Sequence, residues 1–485
     1  LVKHTDDVIH LHDSLANCRE LHWLLERFPV QISRADRVYL AARHNEHIDM
    51  VDGVEALLQG KIHTRPFELA LPPRDYQRTA AELLLRVGTL LLADDLGTGK
   101  TVSAITAMTD PSTLPALVTT LTHLPTQWER EIHRFLPDLH VYTIPQGGIH
   151  SLEEAKKTSG KDPKPHRTGH LPDVIICPYS RISKWGDILA GTVKYVVWDE
   201  VQELRRPVSD KTHAARRVAA RARYVLGLSA TPIFNYGEEY HSVFEAIRPG
   251  ELGTREEFIA EWCSTGLGEG KACVKDPRAL GKHLREQGMM LRRSRADIGR
   301  ELPPLTTVEH EVDADRKPLA EIDSRATELA RIILSSDPST KNEKWRAAEE
   351  FSWRVRQATG IVKAPYVADF VSMLVENGEP VVLFGWHRNV YDLWLERLAK
   401  YKPRLYTGSE TSKQKEENKD AFVAGESKVL ILSLRSGAGL DGLQHVCKTA
   451  VIGELDWSPQ VLHQCVGRIA RDGQPHPVFA YYLTR

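Results

Sequence analysis

Short hydrophobic runs alternate with amphipathic helical patterns over two long segments of the chain, about residues 67–250 and 367–485. This alternation is typical of parallel α/β domains, in which each buried strand is followed by a helix. Trp128 and Ile132 share one face of a predicted helix at 125–135. The predicted strands are 88–93, 116–121, 173–178, 195–198 and 224–229 in the first segment, and 381–384, 404–406, 429–433, 450–452 and 478–483 in the second.

The pattern divides the chain into four parts. Residues 1–66 form a small N-terminal accessory region, 67–250 a first α/β lobe, 251–366 a helical insertion with linker, and 367–485 a second lobe. The insertion is predicted from its charge and its helix formers, above all the run 314–335. The Lys-, Pro- and Gly-containing stretch 156–170 is expected to be an exposed loop.

Composition, net charge and cysteine spacing limit the classes of protein to which the chain can belong. The 485 residues are 41% hydrophobic and 27% charged, and no stretch looks apolar enough to cross a bilayer, so a protein without a membrane partner is expected. The formal net charge of -1 means that nucleic-acid binding would depend on local basic patches. The six cysteines form no CxxC pair, which argues against a zinc module and favours reduced thiols in a cytosol. Because the chain opens with Leu1 and stops at Arg485 after a strand-like run, a trimmed chain is expected.

Candidate chemistry begins at residues 93–101, Ala-Asp-Asp-Leu-Gly-Thr-Gly-Lys-Thr, which follow an apolar strand and open a helix. Gly97 and Gly99 would let successive backbone N–H groups face a phosphate. Lys100 would reach the β- and γ-phosphates of a nucleotide, and the hydroxyl of Thr101 would hold Mg²⁺. Asp94 stands where the general GxxxxGK[ST] pattern has glycine, so an ordinary glycine turn that caps a helix is the alternative.

Two further patterns support nucleotide hydrolysis. The strand at 195–198 leads into Asp199, a candidate Mg²⁺ ligand, and Glu200, a candidate base for the attacking water. Arg468 and Arg471 are three residues apart, which predicts that both guanidiniums lie on one helix face as an arginine-finger pair. Taken singly, the carboxylates are more often a solvated turn or helix cap, and the arginines more often a solvated helix face with surface ion pairs.

Taken together, these motifs resemble the Snf-two (Swi/Snf-like) branch of helicase superfamily two, over roughly residues 71–484. The branch carries Asp at the head of its phosphate loop, as at Asp94. Gln202 departs from its usual motif II, which has His at that position. The other similar segments are 74–77 (Q motif), 119–128 (motif Ia), 228–232 with Asn235 (motif III), 291–295 with 301–304 (the most specific branch signature), 381–386 (motif IV), 406–408, 433–440 (motif V), 456–460 and 468–474 (motif VI).

The resemblance implies a fold, cofactors and further site residues. It implies an α/β fold of two tandem RecA-like parallel-sheet lobes with a helical insertion, and a site for ATP with Mg²⁺. Nucleotide contacts are implied at Tyr76, Gln77 (which reads the adenine), Gly97, Thr98, Gly99, Lys100, Thr101 and Gln464. Phosphate-backbone contacts are expected at Thr120, Thr407, Gly408, Arg435 and Ser436.

The function predicted from these residues is an ATP-dependent translocase on double-stranded DNA that displaces or remodels what is bound there. Two alternatives stay open: a strand-separating DNA or RNA helicase, and a motor or scaffold subunit of a repair, polymerase-recycling or phage-defence complex. Intact Lys100, Asp199, Glu200, Arg468 and Arg471 argue against an inactive scaffold. The variant motif VI favours a divergent bacterial or viral member, expected as a monomeric, nucleoid-associated motor in the cytoplasm.

Overall fold

The computed structural model describes residues 3–5, 8–10, 13, 15–152, 171–230, 236–264, 272–299, 302–312, 341–434, 440–456 and 458–484. The predicted loop at 156–170 and the predicted helical run at 314–335 lie outside these residues. The chain divides into two compact units, Leu1–Gly299 and Arg300–Arg485. Each unit holds one parallel sheet.

The first unit begins with a short hairpin and two helices. β1 (Lys3–Thr5) and β2 (Val8–His10) pair in antiparallel fashion, and α1 (Leu15–Arg27) packs against α2 (Arg34–Leu58). The hydroxyl of Ser33 accepts a hydrogen bond from the backbone N–H of Asp36 and so caps α2. Val54 and Leu57 of α2 join the hydrophobic core of the first sheet, so the accessory helices are anchored on the lobe that follows.

The first parallel sheet has the strand order β11-β3-β8-β7-β4-β6-β5. Its residues alternate between two hydrophobic cores, one on each face, which is why these strands read as continuous apolar runs. The elements of this lobe are α3 (Asp75–Val87), β3 (Thr89–Leu92), α4 (Lys100–Ala107), β4 (Ala116–Thr120), α5 (Pro125–Phe135), β5 (Val141–Thr143), β6 (Val174–Pro178), α6 (Tyr179–Leu189), β7 (Tyr195–Asp199), α7 (Asp210–Ala219), β8 (Tyr224–Leu228), α8 (Gly237–Glu245), α9 (Arg255–Trp262), β9 (Cys263–Ser264), β10 (Cys273–Val274), α10 (Pro277–Glu286) and β11 (Met290–Leu291).

The second parallel sheet has the strand order β12-β17-β16-β13-β15-β14. Two hydrophobic cores again cover its two faces. Its elements are β12 (Leu305–Glu311), α11 (Lys341–Glu376), β13 (Val381–Gly385), α12 (Arg388–Arg397), β14 (Arg404–Tyr406), α13 (Ser412–Val423), β15 (Val429–Ser433), β16 (Thr449–Ile452), α14 (Pro459–Val466) and β17 (Val478–Thr484).

The segment predicted as a helical insertion contributes a strand to each sheet. β11 pairs with β3, and β12 pairs with β17, both in parallel. The sequence does not show β12 because nearly all of its side chains are exposed, so no hydrophobic pattern marks it. The domain limits at 250 and 366 stay predictions, but residues 251–366 are not purely helical.

Helix α11 contains a long apolar stretch, contrary to the expectation that no segment is apolar enough to cross a bilayer. Residues 346–376 are long and apolar enough, by length and composition alone, to cross a membrane. Ala364, Val367, Ala368 and Val371 of this stretch are fully buried in the core of the second sheet. Because this stretch packs into the core, its apolar composition is that of a buried core helix.

Candidate nucleotide-binding and catalytic site

The nucleotide loop lies between β3 and α4, as predicted. Gly97 and Gly99 have φ angles of 79° and 75°, in the left-handed region that glycine adopts without strain. A Cβ on Gly99 would lie 2.6 Å from the side-chain amide nitrogen of Gln77. The positive φ therefore favours glycine at position 99, and a Cβ there would displace the Gln77 amide from the loop.

Lys100 is the first residue of α4, and its ammonium turns back into the loop. Nζ donates hydrogen bonds to the carbonyl oxygens of Asp94 at 2.7 Å and Asp95 at 2.9 Å. Desolvation lowers the pKa of Lys100, and the nearby charges of Glu200, Asp94 and Asp199 oppose that shift. The lysine that would bind phosphates is therefore held by loop carbonyls, with acidic side chains close by.

The start of α3 packs on the same loop. The Tyr76 hydroxyl donates to the carbonyl oxygen of Thr98 at 2.8 Å. The Gln77 amide donates to the carbonyl oxygens of Thr98 and Gly99 at 3.3 and 3.4 Å, and its oxygen accepts from the backbone N–H of Arg74 at 3.0 Å. Gln77 is 5% exposed. In this state it stabilises the loop, and its reading of adenine stays a prediction.

Asp199 ends β7 and accepts two hydrogen bonds that the sequence did not reveal. Its Oδ2 accepts from the Thr120 hydroxyl at 2.7 Å and from the indole N–H of Trp128 at 2.8 Å. Thr120 ends β4, the strand next to β7, and Trp128 lies on α5. The adjacency of β4 and β7 brings these donors to the carboxylate. The available signal in the sequence was Trp128 on the apolar face of a predicted helix, because a buried indole N–H usually finds a hydrogen-bond partner.

Two carboxylates meet at the end of β7. Burial and the charge of Glu200 raise the pKa of Asp199 to about 6, and the bonds from Trp128 and Thr120 oppose this rise. Glu200 has φ 51° and ψ 56°, a left-handed conformation that is uncommon for residues other than glycine. The side-chain amide of Gln202 donates to the Glu200 carboxylate at 2.5 Å. Gln202, the departure from the usual motif, therefore orients the candidate base.

This carboxylate pair fits a divalent cation. Both described donors to Asp199 use Oδ2, which leaves Oδ1 for another ligand. A buried acid whose pKa is raised by a neighbouring carboxylate is one whose ionised form a cation would stabilise. Thr101, the predicted hydroxyl ligand, is the second residue of α4 in the same lobe.

Asp94, which broke the general loop pattern, is paired with an arginine from the far end of the lobe. The Arg293 guanidinium contacts the Asp94 carboxylate at 2.6 and 3.2 Å, and the backbone N–H of Arg293 donates to the same group at 2.9 Å. Asp94 is 1% exposed. The sequence marks residues 291–295 as a branch signature, but it does not show this contact.

The predicted nucleotide-site residues of the second unit lie within α14 or follow it. Gln464 is in α14, but the helix ends at Val466, so Arg468 and Arg471 lie in the turns beyond it. The expected shared helix face is therefore wrong, because the glycine at 467 ends the helix before either arginine. The Arg471 guanidinium donates to the carbonyl oxygen of Leu440 at 2.9 Å and lies 3.3 Å from Asp441.

The predicted nucleic-acid contacts are only partly accessible. Thr120 is fully buried on Asp199, so its hydroxyl belongs to the carboxylate site in this conformation. The Thr407 hydroxyl is also buried and donates to Glu410 at 2.9 Å, whereas Gly408 is exposed. Arg435 and Ser436 lie outside the described residues.

Two family models match the chain. The SNF2-related domain matches residues 20–319, which is more than half of the chain, and the helicase conserved C-terminal domain matches residues 363–473. The first match spans the nucleotide loop, the carboxylate pair and Arg293. The second spans β13 to β16 of the second sheet and both candidate finger arginines, and leaves β12 and β17 outside.

Curated relatives are identical to the chain at about a quarter of the aligned positions. The SWI/SNF-related matrix-associated actin-dependent regulator of chromatin subfamily A-like protein 1 of Drosophila melanogaster is 26% identical over 82% of this chain and 50% of its own length. The DNA annealing helicase and endonuclease ZRANB3 of Bos taurus is 24% identical over 82% of this chain and 37% of its own. The chain thus spans about half or less of the length of these two relatives.

One solved structure, the Sulfolobus solfataricus SWI2/SNF2 ATPase core in complex with dsDNA, is 19% identical, covers 87% of this chain and has a TM-score of 0.43. The family matches rest on the whole first lobe and most of the second. They confirm the predicted fold class of two RecA-like α/β lobes. The chain belongs to the SNF2-related family of helicase-like ATPases.

Proposed function

We propose that this chain is a DNA-dependent ATPase that uses hydrolysis to translocate along double-stranded DNA and displace or remodel what is bound there. The observation that carries the proposal is the convergence of Lys100, Asp199 and Glu200 in one lobe of an SNF2-related fold. The named relatives, a chromatin regulator-like protein and a DNA annealing helicase, support DNA as the partner.

The residues of the first lobe suggest how hydrolysis would proceed. Lys100 would leave the carbonyls of Asp94 and Asp95 and donate to the β- and γ-phosphates. Asp199 and Thr101 would hold Mg²⁺, which neutralises charge on the phosphates when bound. Glu200, oriented by Gln202, would accept a proton from the attacking water.

Steady-state ATP hydrolysis tests the proposal. We expect stimulation chiefly by duplex DNA, compared with no nucleic acid, single-stranded DNA and RNA, with Lys100→Ala as the blank. Stimulation only by single strands or RNA would instead support a strand-separating helicase. Absence of hydrolysis under every condition would support a scaffold subunit that needs a partner.

The assignment of Glu200 is tested separately. Glu200→Gln should keep ATP binding, because the loop is intact, yet lose turnover by several orders of magnitude. Undiminished hydrolysis in this variant would contradict the role of Glu200 as base. The finger role of Arg468 and Arg471 is tested by Arg468→Ala and Arg471→Ala, which should lower turnover more than they weaken ATP binding.

A further inference from the structure

A two-arginine strap crosses the outer side of the nucleotide loop. It consists of Arg293 and Arg295, which directly follow the edge strand β11. The Arg295 guanidinium donates to the carbonyl oxygen of Leu96 at 2.9 Å, and its backbone N–H donates to the Asp95 carboxylate at 3.3 Å. The strap therefore contacts each of residues 94–96, which form the first half of the loop.

Arg293 makes the most buried contact of the strap. Its side chain is 14% exposed, and that of Asp94 is 1% exposed. The same guanidinium donates to the backbone carbonyl of Tyr76 at 2.8 Å and lies over the Tyr76 ring, 5.4 Å from its centre. A planar guanidinium with several fixed donors can bind all these groups at once, whereas an ammonium cannot. Arg293 thus joins the loop to the start of α3.

Asp94 links Arg293 to Lys100, the candidate phosphate-binding lysine. The Asp94 side chain is held by Arg293, and the Asp94 carbonyl oxygen accepts from Lys100. The backbone of this turn is also fixed to the strap, because the N–H of Asp95 donates to the carbonyl oxygen of Arg293 at 3.1 Å. A shift of Asp94 would therefore move the resting partner of Lys100.

Along the chain, the strap comes shortly before the end of the first unit. A turn closed by Ser294 and Asp297 follows it, with bonds of 2.7 and 2.8 Å to the Asp297 carboxylate. The first unit ends at Gly299. Few residues therefore separate the contact with the nucleotide loop from the point at which the chain enters the second unit.

We propose that Arg293 is a positioning residue for ATP binding, which fixes Asp94 so that the loop and Lys100 keep their binding geometry. It acts through Asp94, whose carboxylate it holds. The proposal rests on ATP being the ligand of the loop. It assigns a role to the arginine of the branch signature that the sequence left without one.

The test uses the full chain and a matched control in the same lobe. Arg65 pairs with Glu82, which is 2% exposed, at 2.8 Å, away from the nucleotide loop. Arg293→Gln removes the pair with Asp94, whereas Arg65→Gln removes pairs with Glu82 and Asp110 and leaves Glu82 paired with Arg86. Both variants should lower thermal stability. Only Arg293→Gln should weaken ATP binding, by tenfold or more, measured with a fluorescent ATP analogue in the absence of DNA.

Three readouts separate positioning from general destabilisation. The KM for ATP should rise more than kcat falls in Arg293→Gln, and the stabilisation of the folded chain by ATP should shrink. Asp94→Asn should reproduce the effect, and the double variant should be no worse than the more affected single variant. Arg293→Lys, which keeps the charge but not the planar fork, replaces Arg293→Gln if the latter does not fold.

Equal ATP affinities in the Arg293 and Arg65 variants, within twofold of the wild type, would overturn the proposal. Additive losses in the double variant would overturn it as well. Because binding is measured without DNA, a wild type that binds ATP but is not stimulated by duplex DNA would contradict the proposed function and leave this test valid. A wild type that binds no ATP would contradict both.

Discussion

The donors that hold Asp199 allow a quantitative prediction for Trp128→Phe. The substitution keeps an aromatic ring on the buried face of α5 but removes the N–H that donates to Asp199 at 2.8 Å. A hydrogen bond to a charged group contributes about 1.5–3 kcal/mol. Since 1.36 kcal/mol corresponds to one pH unit in a pKa, the pKa of Asp199 should rise by about one to two pH units.

The expected consequence is a stronger Mg²⁺ requirement at neutral pH. The pKa of Asp199 in the metal-free wild type is about 6, so the carboxylate is mostly ionised at pH 7. With a pKa of about 7–8 in Trp128→Phe, roughly half to a tenth of the molecules would be ionised at that pH. Mg²⁺ binds the ionised form, so the half-saturating Mg²⁺ concentration should rise about two- to tenfold.

The assay is a Mg²⁺ titration of ATP hydrolysis between pH 6.5 and 9. The difference from wild type should be largest at low pH and disappear as the pH rises through the new pKa. Trp198→Phe is the matched control, because it removes a similar volume and an indole bond of 2.7 Å to the main-chain carbonyl of Ala246. The same Mg²⁺ requirement in both variants at every pH would refute the reasoning.

Three further predictions concern backbone fit and a buried lysine. Gly99→Ala should abolish ATP binding, because its Cβ would lie 2.6 Å from Gln77 at a positive φ; nucleotide titration checks this. Gly360→Ala should lower the free energy of unfolding of the second unit by about 1–3 kcal/mol in urea, because its Cβ would lie 2.4 Å from a Glu454 oxygen. Burial lowers the pKa of Lys363 to about 8, so its ionised form opposes folding and wild-type stability should rise between about pH 8 and 10.5. Lys363→Met should lose this component of the pH dependence, and an unchanged profile would contradict the assignment.

Most strands of both sheets could be predicted because they are buried on both faces. Strands such as β6 and β15 are uninterrupted apolar runs between polar turns, and every residue in them is buried. Three strands escaped the pattern. β5 and β11 are only three and two residues long, and β12 is an exposed edge strand. Edge and very short strands carry little hydrophobic signal, so pairing partners rather than local sequence define them.

The candidate site likewise contains residues that could be predicted from the sequence and contacts that could not. Lys100, Asp199 and Glu200 could be predicted because each directly follows a buried strand or its turn. The contacts of Thr120 with Asp199 and of Arg293 with Asp94 could not be predicted, because they depend on the order of strands in the sheet. The contact between Arg293 and Asp94 spans almost two hundred residues of sequence. It depends on β11 joining the sheet beside β3.

Three polar groups that would bind nucleotide or metal already have partners within the first lobe. Lys100 is held by loop carbonyls, Gln77 by Thr98 and Gly99, and Asp199 by Thr120 and Trp128. Binding of ATP would therefore replace these internal hydrogen bonds with hydrogen bonds to the nucleotide. The net free energy of binding would be the small difference between the two sets of hydrogen bonds. A modest change in one internal partner can then shift the balance between the resting and the bound loop. ATP affinity should therefore be sensitive to residues that hold the resting loop, such as Arg293, whose side chain is 14% exposed and pairs with Asp94.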